Sequence, residues 1–183
     1  MTAMSGIKGL FKKTRSPKNG AAFWRAALFS VLILAAGLFS GFIIKLFDIY
    51  TELLGNIFSG ISVWVLICTI IAVFSSTPKR AAVNVFLYCL GMIAAYYVTA
   101  QALGAVYSMS FVYGWSVFTL FTPIFAFFAW YGRGRGWLSV VITALIIVFM
   151  LAATLVMFGL RVYDLIFAYA VVGVMFFKKD KVR

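Results

Sequence analysis

Acidic side chains are rare in this sequence, and all four lie close to a cation; the fourth, Asp180, lies between two lysines. Asp48 and Glu52 follow Lys45 within about two helical turns, and Asp164 follows Arg161. A carboxylate can hold a cationic group of a ligand, whereas a lysine or an arginine can hold an anionic group. Because charges near lipid are costly unless they are paired or reach water, two interpretations stay open. Each cation pairs with the aspartate three positions after it, or these residues belong to a binding site.

The residue types that the chain lacks exclude most catalytic chemistry. It has no histidine and only four carboxylates, which excludes a Ser-His-Asp triad and a histidine-bound zinc or iron site. A two-metal site needs more carboxylates than one face could supply. We therefore expect no enzyme activity, no metal site and no cofactor. Nucleic-acid binding is not expected either, because zinc motifs, nucleotide-binding glycine patterns and a basic groove with base-stacking aromatics are absent.

The composition is typical of an integral membrane protein. The chain has 183 residues, of which 65% are apolar and 11% are charged, whereas soluble domains are about 45–50% apolar and about 25% charged. One membrane span takes about 20 apolar residues, so this length suits six spans with short loops. The net charge is +12, and the basic residues lie at the ends of apolar segments. Contact with anionic lipid and the orientation of the spans explain this distribution better than nucleic-acid binding does.

Apolar runs separated by polar breaks predict an all-α fold of six transmembrane helices in one membrane domain. We expect a basic leader over 1–20 that lies on the membrane surface, a membrane domain over 21–177 and a basic tail over 178–183. The predicted spans are 24–45, 57–74, 81–104, 115–131, 137–158 and 162–177.

The distribution of charges orients these spans. The positive-inside rule places loops rich in lysine and arginine in the cytoplasm. With six spans, all of the 16 lysines and arginines except Lys45 and Arg161 fall on one side, and Asp48, Glu52 and Asp164 fall on the other. We therefore predict that both termini are cytoplasmic. The small size and short loops favour a multi-pass protein of a bacterial plasma (inner) membrane.

A short polar break between the fourth and fifth spans marks the predicted cytoplasmic side. Between Trp130 and Trp137, the residues Arg133 and Arg135 lie among three glycines, which allow a tight reversal, and the tryptophans suit the membrane interface. We interpret the two arginines as topological anchors. The alternative is that they contact a cytoplasmic partner or a lipid phosphate.

The outer ends of the predicted spans bring polar and aromatic side chains to one level of the membrane. Aromatic rings at that level anchor helices at the lipid headgroups, but they also stack on planar ligands. A belt of anchors and a site for a small planar or amphipathic molecule are therefore both open. The candidate ligand-binding residues are Lys45, Asp48, Glu52, Gln101, Tyr97, Trp115, Arg161 and Asp164.

Polar residues inside the spans predict specific contacts between helices. Pro123 leaves a carbonyl of the preceding turn without its usual donor, and a nearby threonine can supply one. Asn84 either caps the third span or forms a hydrogen bond to the second. Cys68 and Cys89 lie at similar depths in neighbouring spans and are expected to be buried thiols rather than a disulfide.

Small residues recur at intervals of four along the first span, beginning with Ala22 and Ala26. Such spacing lets helices pack closely, within the fold or against a partner. In its topology and in this A-x-x-x-A stretch, the chain resembles the substrate-binding S components of energy-coupling factor vitamin transporters. The resemblance implies a ligand site near the outer face and contact of the first span with a membrane coupling subunit, which works with an ATPase.

Two functions agree with these patterns. The first is a small-molecule binding or transport subunit whose site faces away from the cytoplasm. The second is a non-enzymatic accessory or immunity-type protein that binds another membrane protein, or anionic lipid of the bilayer, through its basic cytoplasmic face.

Overall fold

The computed structural model describes residues 14–15 and 23–176, and the longer of these ranges consists of seven α-helices without a strand. The predicted all-α class is therefore confirmed for the described residues. The helices are α1 (Phe23–Tyr50), α2 (Glu52–Phe58), α3 (Ile61–Phe74), α4 (Pro78–Ala102), α5 (Met109–Gly132), α6 (Trp137–Met157) and α7 (Val162–Phe176).

Four of these helices, α1, α4, α5 and α6, are long and apolar enough to cross a membrane. The short helix α2 meets α3 at a bend of 48°, and the pair counts as a fifth span if it is taken as one element. Helix α7 has 15 residues, which is about 22 Å of helix and less than the roughly 30 Å of a hydrocarbon layer. The chain is thus a helical membrane protein with four or five spanning helices in its described part.

Two helices extend further than the sequence predicts. Helix α1 continues past Lys45 to Tyr50, and α5 begins at Met109, inside the segment 105–114 that was expected to be a loop. The extra turn of α5 forms because Ser108 has an extended backbone and its carbonyl accepts hydrogen bonds from Phe111 and Val112. The loop between α4 and α5 is correspondingly shorter, and it turns at Gly104, whose φ is +63°.

Contacts between helix ends define two ends of the bundle. At the acidic end, which holds Asp48, Glu52 and Asp164, the start of α3 meets the end of α6 and the start of α7. At the basic end, which holds Arg133 and Arg135, the end of α3 meets the end of α5. Successive long helices therefore run in opposite directions.

Helix α3 is the centre of the bundle. Nine of its 14 residues are buried, and it packs on α4, α5, α6 and α7. Helix α1 lies outside this group and packs mainly on α4.

The contact between α1 and α4 depends on two glycines four residues apart. A Cβ at Gly37 or Gly41 would overlap the carbonyl oxygen of Tyr88 or Met92, respectively. A G-x-x-x-G pair of this kind allows two helix backbones to approach closely. Helix α1 therefore packs closely on another helix through Gly37 and Gly41, which lie further along the helix than Ala22 and Ala26.

Arg15 is buried at the basic end, with only 5% of its surface exposed. Its guanidinium donates hydrogen bonds to the carbonyls of Trp130 (2.8 Å) and Val73 (2.9 Å), and it lies 4.1 Å above the Trp130 ring. The last carbonyls of a helix lack intrahelical donors and favour a nearby cation. Arg15 is therefore packed against helix ends rather than solvated, and the membrane-surface position expected for the leader stays a prediction. The remainder of the predicted leader, apart from Thr14, and the basic tail lie outside the described residues.

Three polar contacts inside the bundle match the sequence-based expectations. The amide nitrogen of Asn84 donates to Ser75 Oγ, which follows α3, at 3.0 Å. The hydroxyl of Thr122 donates at 2.7 Å to the carbonyl of Thr119, whose usual partner would be the missing N–H of Pro123. The Cys68 and Cys89 thiols are free, with their sulfur atoms 3.4 Å apart.

Candidate functional site

A cavity of about 240 Å³ lies at the acidic end, between α1, the α2–α3 bend, α4 and the start of α5. This volume is slightly below the usual range of ligand pockets, about 300–1,000 Å³. A water molecule takes about 30 Å³ of liquid, so the cavity has room for roughly eight non-hydrogen atoms. We name it the aromatic cavity. Its lining combines a charged pair from α1 with polar groups of the bend and with tyrosine and tryptophan rings.

The charged pair of the aromatic cavity is Lys45 with Asp48. The lysine ammonium lies 2.6 Å from Asp48 Oδ2, and the Tyr96 hydroxyl donates to the same oxygen at 2.8 Å. The ammonium is also 4.9 Å from the centre of the Tyr96 ring, within the range of a cation–π contact. Only 3% of the lysine side chain is exposed, against 36% of the aspartate side chain. The two charges cancel, so the pair adds no net charge to the cavity.

The reversal between α1 and α2 positions Asp48 at the cavity. Thr51 interrupts the helix, with φ −143° and ψ 100°, and its backbone N–H still donates to the Phe47 carbonyl at 2.8 Å. Helix α2 then folds back against α1. Gly55 is required for this approach, because a Cβ there would lie 2.7 Å from the Cα of Asp48.

Aromatic rings form the opposite wall. The rings of Trp64 on α3 and Trp115 on α5 stack with their centres 4.3 Å apart and an angle of 21° between planes. Tyr97 continues the wall, with its ring centre 5.5 Å from that of Tyr107. These rings provide flat apolar surfaces, and tyrosine and tryptophan also provide polar edges.

Trp64 carries a buried hydrogen-bond donor that the protein does not use. The residue is 5% exposed, and its indole Nε1 has no hydrogen-bond partner among the described residues. A buried donor without an acceptor costs about 1–3 kcal/mol. A ligand with a hydrogen-bond acceptor would remove that cost.

The structure brings four of the eight predicted ligand-binding residues together. Lys45, Asp48, Tyr97 and Trp115 line the aromatic cavity. The other four, which are Glu52, Gln101, Arg161 and Asp164, lie at the acidic end but are not part of its lining. The predicted pair of Lys45 with Asp48 is confirmed as an ion pair.

The predicted pair of Arg161 with Asp164 is wrong as an ion pair of side chains. Asp164 is 1% exposed, and its carboxylate accepts a hydrogen bond from Ser62 Oγ at 2.6 Å and one from the backbone N–H of Arg161 at 2.9 Å. The Arg161 guanidinium instead donates to the Tyr163 hydroxyl at 2.6 Å. Because Asp164 lies in the first turn of α7, it caps that helix and ties it to α3.

Trp64 and Ser59 line the cavity but are not among the residues predicted from the sequence. Trp64 lies within the predicted second span, where an aromatic ring looks like an ordinary apolar residue. The available signal was the Asn56 to Gly60 stretch, in which polar residues and a glycine interrupt the start of that span. In the structure this stretch contains the end of α2 and the bend that lines the cavity.

The residues predicted to contact a partner or lipid have different surroundings. Ala22 lies outside the described residues, and Ala26 is half-buried on α1. Ser30, one turn after Ala26, donates a hydrogen bond to Asn84 on α4 at 2.7 Å, so part of this face packs within the fold. Arg135 is exposed, whereas the Arg133 guanidinium lies 4.5 Å above the Phe74 ring.

No protein-family model matches this sequence, and neither a curated protein nor a solved structure matches it.

Proposed function

We propose that this protein is a non-enzymatic membrane subunit that binds a small molecule in the aromatic cavity, as the first step of its transport or sensing. The observation that carries the proposal is the combination of an aromatic wall with the unused indole N–H of Trp64, a residue of that wall. A buried polar group without a partner is rare in folded proteins. Trp64 is a residue of the cavity lining, as expected of a residue that donates a hydrogen bond to a bound ligand.

The ligand that fits is small, with about the size of a single ring, and partly apolar. It carries a hydrogen-bond acceptor for Trp64 and has no net charge, because Lys45 is neutralised by Asp48. Either an uncharged heterocycle or a small zwitterion meets these conditions. Glu52 and Arg161, outside the cavity lining, are left without a direct role in binding.

A thermal-shift screen of the purified protein in detergent tests this proposal. The compounds are nucleobases, vitamins and aromatic amino acids, with simple metal ions for comparison. A ligand at 100 times its Kd stabilises the protein by about 2.7 kcal/mol, which is a measurable rise in Tm. The proposal fails if no compound of these classes stabilises the protein.

The substitution Trp64→Phe keeps an aromatic ring and removes the N–H donor. We expect it to weaken binding of the best compound about tenfold, which corresponds to about 1.4 kcal/mol. Trp137→Phe is the matched control, because Trp137 is exposed at the basic end. Equal binding by both variants would contradict the role assigned to the Trp64 donor.

In this proposal the chain has six spans, and both termini are cytoplasmic. Helix α7 is then the sixth span, and the α2–α3 pair is the second. The aromatic cavity faces away from the cytoplasm. Reporter enzymes fused after position 104 and position 134 test the orientation: we expect the first to be active outside the membrane and the second in the cytoplasm.

A second candidate function is an accessory subunit that binds another membrane protein through the basic end. The observation in its favour is Arg135, which is exposed in the loop between α5 and α6. Affinity purification discriminates between the two functions. Recovery of a coupling subunit with an ATPase supports transport and the similarity to S components, whereas a different stable partner supports the accessory function.

A further inference from the structure

A second concave surface lies between α3, α4, α5 and α6, away from the aromatic cavity. It has a volume of about 450 Å³, and its floor includes Cys68 of α3, Val85 of α4 and Ala126 of α5. The side chains around it are almost all apolar, and the hydroxyl of Thr122, one of the few polar groups, is used by the Thr119 carbonyl. We name this surface the intramembrane groove.

The dimensions of the groove suit one hydrocarbon chain. On α5 its lining runs from Phe118 to Ala129, which is about 16 Å of helix and close to half of a roughly 30 Å hydrocarbon layer. A methylene group is similar in size to a water molecule, which takes about 30 Å³ of liquid. By that measure 450 Å³ holds a chain of about 15 carbons.

The groove opens towards the surroundings of the bundle. Phe125, Leu145 and Phe149 line it and are each exposed, so the described helices do not cover this part of it. A transmembrane helix with its side chains is about 10–12 Å across, and a segment as long as the groove would take roughly 1,300–1,800 Å³. A single acyl chain therefore fits better than a helix of another protein.

A cationic group lies just beyond one end of the groove. Arg133 follows Ala129 by about one helical turn, and its Nε is buried without a hydrogen-bond partner among the described residues. The described carboxylates, Asp48, Glu52 and Asp164, are all at the opposite end of the bundle. Among the described residues, no carboxylate therefore lies beside the charge of Arg133, and exposed Arg135 adds a second cation nearby.

We propose that the protein holds one anionic phospholipid, with an acyl chain in the intramembrane groove and its phosphate at Arg133 and Arg135. Arginine binds phosphate through charge-assisted hydrogen bonds, and juxtamembrane cations attract anionic lipid. The groove lies in the half of the membrane nearest the arginines, so one lipid can reach both. This site is separate from the aromatic cavity and does not depend on the function proposed for that cavity.

Native mass spectrometry of the whole protein tests the headgroup contact. The protein is reconstituted in nanodiscs with equal amounts of phosphatidylglycerol and phosphatidylcholine of the same chains, and is then released into detergent. We expect one retained phosphatidylglycerol and at least a tenfold loss of that retention in Arg133→Gln. Arg25→Gln is the matched control, because Arg25 is an exposed cation on α1, a helix that does not line the groove.

The acyl-chain contact needs its own variants. Ala126→Phe fills the groove and should reduce retention at least tenfold, whereas Ala152→Phe, an exposed position of α6 outside the groove, should leave it unchanged. Soluble glycerol phosphate should not displace the retained lipid. Displacement by glycerol phosphate would overturn the proposal in favour of an anion site, and equal retention of the two lipids by the unmodified protein would also overturn it.

A measurement on the unmodified protein does not depend on whether Ala126→Phe folds. Phosphatidylglycerol with a photoreactive diazirine in its acyl chain is cross-linked in the nanodisc, and the sites are mapped by peptide mass spectrometry. We expect cross-links concentrated in 118–129 of α5 and 142–149 of α6. Cross-links spread evenly over these helices and α1 would overturn the proposal, as would a dimer that excludes the lipid from the groove.

Discussion

The substitution Asp48→Ala should destabilise the fold, because it leaves the Lys45 ammonium buried without its carboxylate. The ammonium is 2.6 Å from Asp48 Oδ2, and only 3% of the lysine side chain is exposed. Removing one partner of a fully buried ion pair costs about 3–5 kcal/mol. The Asp48 side chain is 36% exposed, so water screens this pair in part, and we expect a loss of about 2–3 kcal/mol.

The substitution Lys45→Met should be much milder. Methionine has a similar length and carries no charge, and the remaining carboxylate keeps the hydrogen bond from Tyr96 and its contact with water. We expect a change of about 0–1 kcal/mol. In the double variant no buried cation remains, so Lys45→Met should restore most of the stability that Asp48→Ala removes, which gives a coupling energy of about 2 kcal/mol.

Equilibrium unfolding in mixed micelles, followed by tryptophan fluorescence, measures the four free energies of unfolding of this cycle. If Lys45 depends on this carboxylate, the double variant is more stable than the Asp48→Ala variant. If the two variants are equally stable, or if Asp48→Ala stays within about 0.5 kcal/mol of the unmodified protein, Lys45 does not depend on this carboxylate. The neutral charge assigned to the aromatic cavity would then be wrong.

Three further predictions concern contacts outside the cavity. Asp164→Ala should cost about 2–3 kcal/mol in the same unfolding assay, because a helix cap and a charged hydrogen bond are lost, while ligand affinity in the thermal-shift assay stays unchanged. Gly41→Ala should cost about 1–3 kcal/mol through overlap with a carbonyl of α4; Gly173→Ala, where nothing lies within 4 Å of the added Cβ, should not destabilise the protein. A mild membrane-permeable oxidant such as iodine should form a disulfide between Cys68 and Cys89 within one chain. The intact mass measures this as the loss of both thiol hydrogens, and an unchanged mass would contradict the 3.4 Å separation of the two sulfur atoms.

The long helices could be predicted from the sequence, because each corresponds to an apolar run between polar breaks. The bend between α2 and α3 could not, because it depends on contact with another helix. Gly55 allows α2 to lie against Asp48, and only the folded chain brings these backbones together. The G-x-x-x-G pair Gly37 and Gly41 is visible in the sequence, but so are other pairs of small residues four positions apart on α1. Which pair lies at the contact depends on where α4 packs.

The two charged pairs show why the sequence predicted one contact of the candidate site correctly and another wrongly. Both pairs have a cation followed three residues later by an aspartate. Lys45 and Asp48 are both inside α1, where residues three apart lie on one face, and they form the expected ion pair. Arg161 precedes α7, so Asp164 accepts from its backbone N–H rather than from its guanidinium. The same spacing thus gives an ion pair when both residues are inside a helix and a backbone hydrogen bond when the helix begins between them.

Contacts between residues far apart in sequence account for the remainder of the site. Tyr96 meets Asp48, and Trp64 stacks on Trp115, across about 50 positions in each case. Hydropathy reports only that these aromatic residues belong in a membrane span. It does not report which rings meet, and so it could not separate a belt of anchors from the wall of a cavity.

The buried nitrogen donors without a partner fall at two places in the described residues, Trp64 Nε1 and Arg133 Nε. A hydroxyl can rotate to find an acceptor, but an indole or guanidinium N–H is fixed by its planar group. An unpaired N–H of this kind is therefore a stronger sign of a missing acceptor than an unpaired hydroxyl is. One of the two belongs to a residue that lines the aromatic cavity, and the other belongs to a residue about one helical turn beyond the last groove residue of α5. Because the two donors lie at opposite ends of the bundle, one ligand cannot reach both, and the two proposals supply a separate acceptor for each: a small neutral molecule at the acidic end and a lipid phosphate at the basic end.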